Sequence, residues 1–329
     1  MKIPIFSALK KRRGATENKD RMTGSKRACH SNYNGCILQK GVYTFAPTNV
    51  SHFVEQPYCD IWDTAYFTKQ YTFLEPHPAL AEYIQYYWIL DLRAGPTSQQ
   101  ATTFQELLVP TINTTLVFNL GTAFSIDAAG REAYRCHHSV LLGYHTMPLV
   151  YRHSAGNFLI GVKFKPATLS RWFGVKPVEI KEAVLAASEL FPSGRQIEEW
   201  LYAAPNNQAI RHYLDQVFLA YVPTLPKRND RYISQFFNDR ILEGAHYQFK
   251  KVAGLLYLTP RTLDRYFSAY FTITPKQCLK ILRFRKAAAI YKETGYKADW
   301  TALGYSDFSH FCKDWKAFLP AGAESKDLC

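Results

Sequence analysis

The stretch KKVAGLLYLTPRTLDRYF, residues 250–267, decides the reading of this chain. Val252, Leu255 and Leu256 lie on one stripe of a helix that ends in a short turn. Thr259-Pro260 opens the next helix, because threonine is a favoured N-cap and proline is preorganised for the first helical position. Leu263 and Phe267, four apart, face inward and leave Arg261, Thr262, Arg265 and Tyr266 on the outer face. Two helices around a tight turn, with a basic and polar N-terminal face on the second, match the helix-turn-helix arrangement that enters a major groove.

Working outward, Thr274-Pro275 starts a long basic helix, KQCLKILRFRKAAAIYKE, carrying Arg283, Arg285 and Lys286. Beyond it, GYSDFSHFCKDWKAF (304–318) reads as a second unit, with Gly304 ending one helix and Ser306 capping the next. Ser309, His310 and Lys313 fall on that helix's polar face. Adjacent residues on a helix diverge, so Ser309 and His310 cannot act as nucleophile and base.

The order L-T-P-R-T-L-D-R-Y-F, L-R-F-R-K-A-A-A and G-Y-S-D-F-S-H-F-C-K-D-W-K resembles the AraC family of bacterial transcription regulators over about the last hundred residues. The resemblance implies two DNA-reading helices joined by one long helix. Two departures stand out. Arg283 is separated from Gly304 by 21 residues, about one helical turn less than the family pattern, and the shortfall falls in GYKADWTAL, the support of the second unit. The tail FLPAGAESKDLC also lacks the family's closing G-x-x-P, with Leu319-Pro320 and Gly322 out of order, while in the first unit only Thr272 stands where a glycine is common.

Charge agrees with this reading. The chain of 329 residues carries +13 overall. Residues 227–329 hold eighteen Lys/Arg against ten Asp/Glu, whereas residues 41–226 are slightly acidic. A basic C-terminal segment that also carries the motifs is a nucleic-acid footprint. Residues 1–40 are also strongly basic but polar and aperiodic, so residues 1–65 are expected to be a disordered tail. The seven cysteines include no C-x-x-C pair, which argues against a zinc finger or a disulfide framework. No run approaches the ~20 apolar residues that span a bilayer, and the basic cluster follows the first apolar run in the wrong order for a secretory signal. A cytoplasmic protein is expected.

From about Tyr66 to Phe191 the pattern is mostly extended. PALAEYIQYYWIL reads as a helix, with Leu80, Tyr83, Ile84 and Tyr87 at helical spacing. Short β-rich runs follow, ending in NFLIGVKFKP, and helices resume at LSRWFG, EIKEAVLAASELF, RQIEEWLYAA and QAIRHYLDQVFLAYV. This half resembles, more loosely, the uncharacterised sensor-like domain often placed before AraC-type readers, which implies a cupin-like barrel that receives a signal or dimerises. Cys136, His137, His138, His145 and His153 crowd together, yet no metal-ligand spacing appears, and adjacent His137 and His138 on a strand point oppositely.

The fold expected is α+β: a mixed α/β, cupin-like domain over 66–222, a linker at 223–229 around Pro223 and Pro226, and an all-α domain with two helix-turn-helix units over 230–329. The function expected is a sequence-specific, non-enzymatic DNA-binding transcription regulator without metal or cofactor. Its partners would be double-stranded DNA, a small-molecule effector of unspecified identity, a second copy of the chain and RNA polymerase, with no membrane. Arg261, Thr262, Arg265 and Tyr266 would read DNA, Arg283, Arg285 and Lys286 would hold the backbone, and Ser309, His310 and Lys313 would read a second groove segment. The alternative is a regulator descendant whose weakened second unit acts through protein contacts; a cupin-type metalloenzyme with an appended reader ranks below both.

Overall fold

The N-terminal half of the described chain owes its form to runs of β-branched and aromatic residues that pair into antiparallel sheets. A computed structural model describes residues 71–93, 103–128, 133–191, 194–223 and 227–319. The expected tail at 1–65 lies outside these residues, as do Thr224, Leu225 and Pro226 of the expected linker. Strands β1 (Tyr71–Leu74), β2 (Ile84–Asp91), β9 (Phe158–Phe164), β4 (Thr114–Asn119), β7 (Val140–Leu142) and β10 (Val184–Ala186) form one sheet in that order. A second sheet runs β3 (Thr103–Leu108), β8 (Leu149–Ser154), β5 (Phe124–Ala128) and β6 (Tyr134–Cys136). Both contribute to one core, including Trp88, Leu90, Val117, Phe124, Ile126, Tyr151 and Leu159. Gly161 leaves room for the Trp88 indole, since a Cβ there would stand 1.8 Å from the ring. A β-rich N-terminal half before a helical C-terminal region is the layout expected.

Two expected helices are not helices. PALAEYIQYYWIL supplies only a 3-10 turn, Pro78–Leu80, before the strand β2. β2 is buried on both faces, because helix α4 (Asn207–Leu219) covers the sheet's outer side and Asp215 accepts the Tyr87 hydroxyl at 2.9 Å. A strand covered on both sides reads as a near-continuous apolar run, in which helical spacing arises by chance. EIKEAVLAASELF divides into α2 (Pro177–Ile180), β10 and a 3-10 turn. Here β10 pairs with β7, so tertiary pairing overrides local helix propensity. The other expected helices form as α1 (Thr168–Phe173), α3 (Gly194–Ala203) and α4.

The C-terminal region is all helix and turn: α5 (Arg228–Phe236), α6 (Asp239–Gly244), α7 (Phe249–Leu255), α8 (Pro260–Ser268), α9 (Pro275–Thr294) and α10 (Phe308–Phe318). The described residues belong to one compact unit, and directed bonds join its β-rich and helical regions. Tyr144 on the strand side takes the Thr272 amide at 3.1 Å and shares a 2.7 Å bond with its hydroxyl. Glu82 accepts from Arg171 at 2.7 Å and from Ser234 of α5 at 2.9 Å. Burial pushes the Glu82 carboxyl up, but these hydrogen bonds outweigh it and hold the group below its ordinary value. Between the two regions lies a cavity of about 370 Å³, lined among others by Gln85, Asn113, Lys165, Phe237, Leu282 and Arg285. Burial lowers the Lys165 ammonium, against the pull of Asp239 and Glu82.

Candidate nucleic-acid interface

The first unit is assembled as its residues dictate. On α7, Val252 and Ala253 are buried, and the chain then turns through Leu256, Tyr257 and Leu258. Tyr257 adopts a left-handed φ of 55° and is 97% exposed. The Thr259 hydroxyl accepts from the Thr262 amide at 3.2 Å and shares a 2.9 Å bond with the Thr262 hydroxyl, which closes the first turn of α8. Leu263 and Phe267 are fully buried; the Phe267 ring centroid lies 5.2 Å from Phe236 and 4.6 Å from Phe271. Arg261 and Arg265 are exposed on the opposite side, with Asp264 between them. Thr262 is half-buried, and Tyr266 stacks on Tyr232 at 5.6 Å with the Arg265 guanidinium 5.4 Å from its ring. Tyr266 is therefore partly a packing residue, and its partner Tyr232 on α5 carried no spacing signal that would have found it.

Three basic residues of α9, Arg283, Arg285 and Lys286, are engaged within the protein. The Arg285 side chain is buried, with the residue 8% exposed, and Nη1 donates to the Pro110 carbonyl at 3.1 Å. Lys286 pairs with Glu243 of α6. Arg283 donates to the Gly304 carbonyl at 3.0 Å and to Asp314 at 2.8 Å, and its guanidinium lies 4.2 Å from the Tyr305 ring centroid. Of the three residues expected to hold the DNA backbone, Arg285 thus faces the β-rich half, Lys286 is paired at the surface and Arg283 lies within the second unit.

That second unit departs from the first at its support. In place of a helix there is a 3-10 turn, Gly295–Lys297, and one hydrogen-bonded turn in which the Leu303 amide reaches the Asp299 carbonyl at 3.2 Å. Asp299 accepts from Ala302 at 3.0 Å and from the Thr301 hydroxyl at 2.7 Å, bonds that hold its carboxyl below the ordinary value. Gly304 has φ 81°, and a Cβ there would stand 2.9 Å from the His246 carbonyl of the first unit. Asp307, not Ser306, caps α10, accepting the His310 amide at 2.8 Å. The two residues are equally suited by type; the geometry selects Asp307, three before His310. Ser309 and Lys313 are exposed, as is Lys316 one turn on, which i,i+3 spacing from Lys313 could have flagged. His310 is half-buried, its Nδ1 3.3 Å from the Ser306 hydroxyl and its ring edge-on to Tyr305 at 5.1 Å. Phe308 is half-buried and stacks on Tyr291 at 5.8 Å.

The histidine group of the β-rich half is dispersed. His137 and His138 are exposed, whereas His145 and His153 are buried, the latter with Nε2 3.4 Å from Glu106. Among the described residues no set of three or more His, Cys, Asp or Glu side chains is placed to hold a metal ion. No helix among them is long and apolar enough to cross a membrane.

Residues 72–186 match a domain of unknown function (DUF6597), which spans most of the two sheets. No curated protein matches the chain. Among solved structures, ToxT from Vibrio cholerae O395 aligns at 11% identity over 67% of this chain and 93% of that one, with a TM-score of 0.35. The AraC-like transcriptional activator CuxR aligns at 12% identity over 73% and 93%, with a TM-score of 0.23. At these identities and TM-scores the likeness assigns no activity to this chain.

Proposed function

We propose that the chain is a transcription regulator of the AraC type that binds duplex DNA through α8 and α10, under the control of, or dimerised through, its β-rich half. The observation that supports this best is the first unit: a capped nine-residue helix whose buried side is locked by Leu263 and Phe267 while Arg261 and Arg265 stay exposed. Arginines on the first turns of such a helix can donate in pairs to guanine edges. Thr262 and Tyr266 flank them, and Ser309, His310 and Lys313 meet a second groove segment about one turn (~34 Å) away. Residues 66–222 act as the sensing or dimerising domain, 223–229 as the linker and 230–329 as the reader. The cavity between the two regions is the natural seat of a small-molecule effector, since a ligand there touches both. RNA polymerase, a cytoplasmic location and the absence of enzymatic chemistry follow from the same role.

Fluorescence anisotropy with a random-sequence duplex tests the electrostatic part. Affinity should fall steeply between about 50 and 200 mM salt, by ~10³-fold or more if six phosphates are neutralised. Salt-independent or absent binding at the low end removes the proposal. A second reading has one observation in its favour, the reduced support beneath α10: a protein-contact role for the second unit, in which case mutations on α10 leave DNA binding unchanged and only those on α8 weaken it.

A further inference from the structure

We infer that Asp314 is the positioning residue that sets the second reading helix, standing in for the support helix this unit lacks; the inference rests on the DNA-binding reading above. Asp314 lies on α10 with 3% of its surface exposed. Its Oδ2 accepts from Arg283 Nη2 at 2.8 Å and from the Tyr305 hydroxyl at 3.0 Å, and its Oδ1 is 3.1 Å from Lys280 Nζ. Arg283 spends its other terminal nitrogen on the Gly304 carbonyl. One carboxylate thus joins three segments: α9 at two points one turn apart, the turn at Gly304–Tyr305, and α10. Burial beside this carboxylate pushes the Tyr305 phenol far above its ordinary range, so Tyr305 remains a donor to it.

The rest of the contact beneath α10 is aromatic. Phe284, Tyr291 and Trp300 meet Phe311 and Trp315 at centroid distances of 4.8 to 6.2 Å. Aromatic burial supplies area but tolerates small rotations and slides, because dispersion and hydrophobic burial have little direction. Hydrogen bonds to a charged group are directional and strong. Asp314 follows Lys313 by one residue, about 100° around the helix. Fixing the rotation of Asp314 therefore fixes where Ser309 and Lys313 point. In the first unit the same task falls to the packed helix α7; here it falls to an ionic hub, and removing one member would leave a buried charge uncompensated.

The test uses the full-length chain and duplexes selected by it from a random pool, read by hydroxyl-radical footprinting. The wild-type chain should protect two segments about one turn apart. Asp314→Asn should retain the segment contacted by α8 and lose the other. In that background Lys313→Ala should cause no further loss, while Arg265→Ala should still weaken binding about tenfold. Because Asp314→Asn strips the buried cations of their counter-charge, a second variant, R283M/D314L, replaces the ionic contact with apolar groups of similar size, an exchange often neutral or stabilising. It should melt near the wild-type temperature and still lose the second segment. If R283M/D314L protects both segments like the wild type, the positioning role is overturned. A wild-type chain that protects only the α8 segment overturns it as well, while leaving DNA binding standing. A wild-type chain that protects none removes the DNA-binding reading itself.

Discussion

The two units of the helical region each present an amphipathic helix with an exposed basic face, but they hold it by different means. α8 rests on a complete helix, α7, and on a cluster of phenylalanines, and its first turn is closed by an uncharged hydroxyl. α10 rests on a single turn, a dense aromatic cluster and a buried carboxylate, and its first turn is closed by a charged one. A shortened support does not leave its helix loose if directed polar bonds replace the lost packing. What changes is the sensitivity: the first unit should respond to cavities in its core, the second to charge and pH.

The comparison breaks most visibly if the cores fail separately. Phe267 and Trp315 are both buried nearly completely, and truncating such a ring costs about 3–5 kcal/mol. α9 runs beneath both units, and Gly304 abuts the His246 carbonyl, so the units should share one transition. Phe267→Ala and Trp315→Ala should each shift a single urea transition, monitored by tyrosine and tryptophan fluorescence. Two resolved transitions would show that the units are independent. Gly304→Ala is the smaller structural blow: it places a methyl in van der Waals conflict with that carbonyl and forces a left-handed alanine, at about 1–3 kcal/mol. Gly174→Ala, left-handed but with open space around it, is the matched control and should cost less.

DNA contacts sharpen the contrast at lower energies. Arg265→Ala, if the side chain pairs with a guanine, should cost about 1–3 kcal/mol on a selected duplex and relax preference at that base. Lys313→Ala should weaken selected and scrambled duplexes alike, by less, as loss of a phosphate contact does. The ranking fails if Lys313→Ala abolishes discrimination while Arg265→Ala leaves it intact.

Much of this is legible in the sequence. Thr259-Pro260 and Thr274-Pro275 carry their cap chemistry locally, and both helices begin where those pairs stand. The missing turn after Arg283 was visible as a count of residues. The hub was not, because Asp314 meets Arg283 across 31 positions, and in sequence it passes for one more polar residue on a helix. The same non-locality misplaced Arg285, whose spacing fits an outward role while the Pro110 carbonyl, 175 positions away, draws it inward. β2 was misread for a related reason: burial on both faces erases the alternation that marks a strand.

The smallest expected difference concerns the caps. Thr259 holds α8 with a hydroxyl that does not titrate in the accessible range, and Thr259→Ala should cost about 1 kcal/mol at any moderate pH. Asp307 holds α10 with a carboxylate whose value is lowered, chiefly by the hydrogen bond from the His310 amide. A depressed folded value means that its contribution is complete above the ordinary Asp range near 3.9 and is lost as pH falls through the lower, folded value. Between pH 5 and 2.5 the first turn of α10 should therefore fray before that of α8. Amide exchange reads this directly: His310 protection should drop toward acid while Thr262 protection holds. Other carboxylates titrate over the same window, so Asp307→Asn supplies the reference, keeping an accepting oxygen that does not ionise. In that variant the acid loss at His310 should shrink. Equal loss at His310 in both chains would place the acid sensitivity elsewhere and would remove the contrast drawn between the two caps.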